Sequence, residues 1–157
     1  MNTIIVACDQ NNLIGKKGTI NGMPWQNKED LKHYRNTTLN HTMLMGRTTF
    51  EAIGKPLKKR KTIIVSRNFT YDHEDVTIRN DLVEVLKEYR EKEEELFICG
   101  GASIYQQALP YVDKMLISRI PGDYVGDAYF PAIPDEFELA EVQPFETFNL
   151  EIYRRKK

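Results

Sequence analysis

TIIVAC, residues 3 to 8, is apolar with little alternation, and five further segments of similar length resemble it: Thr42 to Met45, Lys61 to Ser66, Val76 to Ile78, Leu96 to Cys99 and Met115 to Ile120. A strand with one wet face alternates apolar and polar residues, whereas a strand covered on both faces does not. The runs therefore predict a largely parallel sheet sandwiched by helices, which confines the chain to the α/β class. Helical spacing appears between them. Asn27 to Thr37 places Leu31 and Tyr34, with Leu39 beyond, roughly on one face. Asp81 to Glu91 is predicted to be capped by Asp81, with Leu82, Val85, Leu86 and Tyr89 inward and Glu84 and Glu88 outward. Ala102 to Leu109 is a third helix, stopped by Pro110. Glu138 to Gln143 and Asn149 to Tyr153 alternate around a turn, so the chain is predicted to end in an antiparallel hairpin added to the sheet.

The 157 residues suit one domain spanning 1–157, with no repeat or linker to divide it. A net charge of −1 argues against a general nucleic-acid or membrane-surface binder, so an anionic ligand would have to be met locally. Cys8 and Cys99 lie far apart in apolar runs and read as reduced, buried thiols. The three histidines lack ligand spacing, so no metal is expected. The acidic run EKEEE, residues 91 to 95, reads as a solvated helix end. The first residues offer neither a membrane span nor a leader pattern, and the expectation is a cytoplasmic monomer.

Two places carry the chemistry of an anion cradle. In LMGRTTFEAIG, residues 44 to 54, an apolar strand runs through Gly46 into Arg47, Thr48 and Thr49 and a helical turn. In FICGGASIY, residues 97 to 105, a strand runs through Gly100 and Gly101 into Ala102 and Ser103 and another helix. Helix starts present unpaired N–H groups, and glycine lets a ligand approach the backbone. The alternative for the first junction is ordinary capping by threonine. Two such turns at one sheet edge would grip a pyrophosphate-linked cofactor. Arg67 follows the strand KTIIVS, and if it meets Arg47 at one spot the pair suits a doubly charged phosphate, pointing to NADPH over NADH.

The loop DQNNLIGKKGTINGMPW, residues 9 to 25, is long for so small a chain and carries Gly15, Gly18 and Gly22 between anchors at Ile14 and Pro24-Trp25. It reads as a lid or, failing that, a tolerated insertion. Asp30 lies just beyond it. In the first turn of a helix an acid usually serves the macrodipole; beside Leu31 and Tyr34 it would instead project a carboxylate into apolar surroundings and fix an amidine-like ring through paired hydrogen bonds.

With NLIG (12 to 15), MPW (23 to 25) and Asp30, MGRTTFEAIGKPL with Arg60, IIVSR (63 to 67), CGGASIY (99 to 105) and GDAYFP (126 to 131), the chain resembles dihydrofolate reductase over nearly its whole length. The resemblance implies a mixed, mostly parallel eight-stranded sheet with four flanking helices. It implies NADPH as cofactor and reduction of dihydrofolate to tetrahydrofolate, supporting one-carbon metabolism and thymidylate and purine synthesis. Antifolate inhibitors are implied as further ligands.

Carried over by position, Asp30 would hold the pterin 2-amino group and N3, assisted by Ser118. Ile5, Ala7, Tyr34 and Cys99 would line the pterin and nicotinamide region. Leu31, Ile53 and Leu57 would clasp the aminobenzoyl ring, and Arg60 would pair with the glutamate α-carboxylate. On the cofactor side, the resemblance puts Gly46, Arg47, Thr48, Thr49, Ser66 and Arg67 at the adenosine and phosphates and Gly100, Gly101, Ala102 and Ser103 at the pyrophosphate, continued by Ile104 and Tyr105. Ile14 and Gly15 would bind the cofactor at the lid's entrance, and Met23 and Trp25 would serve catalysis in the lid and adjoining wall, where water beside Met23 would deliver the proton. The sequence departs from the family at Tyr34, where phenylalanine is commoner, at Lys58-Lys59, where proline is usual, and at Ala128, where threonine is usual. A riboflavin-pathway pyrimidine reductase and a non-catalytic nucleotide-binding module are the competing readings.

Overall fold

In chain order the elements are β1 (Asn2–Cys8), β2 (Leu13–Gly15), α1 (Lys28–Thr38), β3 (Thr42–Gly46), α2 (Arg47–Ile53), β4 (Lys61–Val65), β5 (Val76–Arg79), α3 (Leu82–Arg90), β6 (Leu96–Ile98), α4 (Ala102–Ala108), β7 (Lys114–Arg119), β8 (Ala128–Tyr129), β9 (Phe137–Pro144) and β10 (Asn149–Arg155). They come from a computed structural model that describes residues 1–15 and 23–157. The middle of the expected lid, with Gly18 and Gly22, lies outside the described residues.

Eight strands form one sheet in the order β5-β4-β3-β6-β1-β7-β10-β9. Every pairing from β5 to β7 is parallel, and β10 pairs antiparallel with both β7 and β9. The predicted mixed sheet, four helices and terminal hairpin are all present. Covering on both faces explains the unbroken apolar runs. Along β1, Ile4, Val6 and Cys8 pack into one cluster with Leu82, Val85 and Leu86 of α3 and Tyr105 of α4. Ile5 and Ala7 point the other way, toward Trp25, Phe97 and Leu116. A third cluster, Met43, Met45, Phe50 and Ile64, continues this second face beneath α2.

The short ladder between β2 and β8 had no sequence signal, because three and two residues are too few to show a period. It is fastened by Asp9, whose carboxylate accepts from the Asn11, Leu13 and Tyr124 amides at 2.8, 2.9 and 3.1 Å. Gly126 is required there: a Cβ would lie 2.3 Å from the Gly15 carbonyl oxygen. The EKEEE run is the exposed end of α3 that its composition predicts, Glu91 to Glu94 lying in solvent and Glu95 partly buried. Glu95 accepts a 2.6 Å hydrogen bond from Thr3 and lies 3.5 Å from Lys114, and Glu94 accepts from Thr42 at 3.0 Å. Strand threonines opposite the run hold these two carboxylates.

Candidate active site

The carboxyl ends of the parallel strands bring Ala7, Gly46, Ser66, Gly100 and Ser118 to one edge of the sheet, the position where open α/β sheets bind ligands, whereas Arg60 precedes β4. Helix α1 supplies the long wall. Its N-cap is Asn27, whose side chain accepts from the Asp30 amide at 2.9 Å, so the sequence starts the helix at a fixed point and Asp30 falls in its first turn. The carboxylate is buried, with the residue 7% exposed. Burial pushes its pKa above the ordinary 3.8, and the Ser118 hydroxyl opposes that rise by hydrogen bonding to the ionised form. Ser118 is 2% exposed and shares its face of β7 with Leu116, because side chains alternate along a strand.

The stripe that α1 turns toward the cleft differs from the expected one. Leu31 and Tyr34 are half-buried, as cleft-lining groups should be, but Leu39 is 37% exposed and ends the helix as its C-cap. The working stripe is Asp30, Tyr34 and Thr38, spaced i, i+4, i+8. Thr38 donates to the Tyr34 carbonyl at 2.8 Å and accepts from Arg60 Nε at 2.9 Å. Hydroxyl groups do not register in apolar periodicity, which is why sequence reasoning missed Thr38.

Arg60 is buried, and it donates three bonds to its own chain: to Thr38, to the Lys58 carbonyl and to the Arg35 carbonyl. A guanidinium has five N–H groups, so one remains on each terminal nitrogen, a fork matched to a carboxylate. Eight residues of helix at 1.5 Å rise set Thr38 about 12 Å along the axis from Asp30. A buried acid and a buried base thus stand at the two ends of one ruler. Ile53 and Leu57 pack with Tyr34 on the apolar cluster beside it.

Tyr34 resolves its departure from the family by bonding to Cys99, and burial dominates both groups, raising the phenol well above its usual value and the thiol to about 12. Both cysteines are free thiols, but only Cys8 is buried as expected; Cys99 is partly exposed. Met23 joins Ile5, Ala7 and Trp25 on the same cluster. The Trp25 indole lies 5.3 Å from the Tyr124 ring, and its N–H is buried with no partner among the described residues.

The two glycine junctions are neighbours, because β3 and β6 pair directly. The Gly46 amide donates to the Gly100 carbonyl at 2.9 Å. Gly100 adopts φ +111°, which a side chain would strain, and is joined to Gly101 by a cis peptide. A Cβ on Gly101 would press on Thr49 Oγ1 at 3.4 Å. Ala102 opens α4, Ser103 is exposed on its first turn, and Ile104 packs against Gly46. Tyr105 is core, 4% exposed, with its ring beneath Gly100 and its hydroxyl donating to the Ile5 carbonyl at 2.9 Å, a floor under the junction.

Ser66 and Arg67 line a cleft of about 240 Å³ with Phe69, Ile78, Arg79 and Asn80. Arg47 lies 4.7 Å over the Phe69 ring and 3.5 Å from Glu51, so both predicted arginines border the same aromatic side chain. Arg79, unforeseen, is tied to Glu84 and Glu88 at 3.0 and 3.2 Å. Thr48 is exposed at the start of α2, and Ile14 and Gly15 lie in the ladder at the lid's base. Among the described residues, no group of three or more His, Cys, Asp or Glu is placed to hold a metal, and no helix is long and apolar enough to cross a membrane.

A mostly parallel α/β sheet whose carboxyl edge joins paired glycine turns to a buried acid is the framework of a nucleotide-dependent oxidoreductase. The dihydrofolate reductase family model matches residues 1–154. The Mycoplasma genitalium dihydrofolate reductase is 38% identical over 158 aligned positions, covering 98% of this chain and 97% of that one. The Bacillus subtilis enzyme is 37% identical over 83% of this chain and 76% of its own. A dihydrofolate reductase from Enterococcus faecalis, solved with NADP(H) and RAB-propyl, superposes with a TM-score of 0.89 at 29% identity, covering 100% of this chain and 97% of that one. The chain belongs to the dihydrofolate reductase family, and its activity is dihydrofolate reduction.

Proposed function

We propose that this protein reduces 7,8-dihydrofolate to 5,6,7,8-tetrahydrofolate with NADPH. The observation that carries the reading is Asp30: an acid buried on the cleft face of α1, hydrogen-bonded by Ser118, on the side of the sheet where the two glycine turns meet. Its carboxylate holds the 2-amino group and N3 of the pterin, and Ser118 assists. Arg60 takes the α-carboxylate of the glutamate tail with the two N–H groups its own chain leaves free. Leu31, Ile53 and Leu57 clasp the aminobenzoyl ring between them.

The cofactor residues fit NADPH. The adjoining glycine turns offer bare backbone where a diphosphate approaches, and the cleft at Ser66 and Arg67 offers a guanidinium beside an aromatic ring. Bound there, NADPH supplies the hydride for pterin C6. The protein's own part is alignment and protonation. Ala7 and Ile5 set the floor, Tyr34 and Cys99 one wall, and Met23 with Trp25 admits the water that protonates N5. Ionised Asp30 makes N5 more basic without touching it. Small-molecule antifolates that present an amidine-like edge occupy the same carboxylate. The chain acts as one domain, 1–157, in the cytoplasm as a monomer, without nucleic acid.

The experiment is loss of NADPH absorbance on adding dihydrofolate to the purified chain. Turnover that depends on both reagents is the expected result; no turnover with dihydrofolate, or turnover with a riboflavin-pathway pyrimidine instead, overturns it.

A further inference from the structure

Helix α1 turns two faces to the molecule. Asp30, Tyr34 and Thr38 face the cleft. Glu29 and His33, also i, i+4, face the turn between β9 and β10. Thr147, in that turn, bonds to α1 through every polar atom it has. Its amide and hydroxyl donate to Glu29 Oε1 at 2.8 and 2.6 Å, its hydroxyl also lies 3.1 Å from Asn27 Oδ1, and its carbonyl accepts from Asn27 Nδ2 at 3.4 Å. One hydroxyl proton cannot serve both acceptors fully, and the shorter, charged contact to Glu29 dominates. The bonds from Thr147 hold Glu29 below its usual carboxylate range.

Apolar contacts complete the grip. Phe145 and Phe148 stack at 4.5 Å, and the His33 ring meets them at 5.6 and 5.8 Å. Phe148 is buried with Ile5, Trp25 and Leu150. Three residues beyond Thr147, Leu150 stands opposite Ser118 in the β7–β10 ladder. One hairpin therefore backs Ser118 with its strand and holds the first turn of α1 with its tip, the two groups that converge on the Asp30 carboxylate.

We propose that Thr147 is a positioning residue for Asp30: by bonding to Asn27 and Glu29 it fixes the first turn of α1 against the β9–β10 hairpin and sets the carboxylate in register with Ser118, which determines affinity for the pterin head of the substrate. The inference rests on the reading of Asp30 given above. It adds a specificity element remote from the ligand, on a turn exposed to solvent. Nothing in it involves the cofactor side, and that separates it from a general effect on stability.

The test is ligand binding by tryptophan fluorescence, since Trp25 is the chain's only indole. Thr147→Val removes the hydroxyl and keeps the backbone bonds, Thr147→Ser restores it, and Asp30→Asn is the control. The expected result is about fivefold weaker dihydrofolate binding in Thr147→Val, recovery in Thr147→Ser and NADPH affinity within about twofold throughout. Unchanged dihydrofolate affinity in Thr147→Val, or equal losses for both ligands, overturns the proposal. If Asp30→Asn weakens dihydrofolate and Thr147→Val does not, only the positioning role fails. If Asp30→Asn itself binds dihydrofolate normally, the reading of the site falls and takes this inference with it.

Discussion

The proposed substrate wall and the proposed cofactor rim use charge in opposite ways. On the wall beside α1 two charged groups are buried: Asp30 has one hydroxyl for company, and Arg60 is tied to three acceptors of its own chain. On the rim, Arg47, Thr48, Arg67 and Ser103 are exposed and lean on neighbours such as Phe69. A buried charge is strong because water and salt do not screen it, and for the same reason it must be supported or it shifts its pKa. An exposed charge is weaker and cheap to keep. The wall should thus govern chemistry and substrate affinity steeply, and the rim should govern cofactor choice gently.

Asp30→Asn tests the steep side hardest: kcat with dihydrofolate near neutral pH should fall about a hundredfold or more, measured by NADPH oxidation, while NADPH binding stays close to normal. Arg60→Leu comes next. KM for dihydrofolate should rise about 30- to 100-fold, with little dependence on salt, and KM for NADPH far less; equal effects on both would mean the tail contact is misassigned. Arg67→Ala should weaken NADPH about five- to tenfold and NADH hardly at all, and the loss should shrink as ionic strength rises. A salt-independent loss would remove the contrast between the two sides.

The smallest effect is on stability. Burial raises the Asp30 pKa in the folded chain, so this group favours folding in its neutral form. That contribution is complete below the ordinary value of 3.8 and is lost as pH rises through the raised folded value. Asp30→Asn should therefore raise the Tm of the unliganded protein near pH 7 by about 2–4 °C, a gain that fades toward pH 4. Scanning calorimetry at several pH values reads this directly.

What the sequence revealed follows the same division. The strands were legible because covering on both faces leaves an unbroken apolar run, and the third helix because its four-residue stripe and capping aspartate agree. Asp30 meets Ser118, and the two glycine turns adjoin. Thr38 and Thr147 escaped notice because each acts through a partner distant in sequence, Arg60 and Glu29, and nothing local distinguishes a threonine that holds an arginine from one that faces water. Leu39 misled for the complementary reason. Its spacing is helical, but the helix ends there and the leucine turns outward.

The direct bond from the Gly46 amide to the Gly100 carbonyl makes one hinge plate of the two turns. Neither turn can shift without pulling on the strand it ends and on the centre of the sheet. On the proposed reading the diphosphate end of the nucleotide is moored at this plate, and the expected opening and closing of the cleft falls elsewhere.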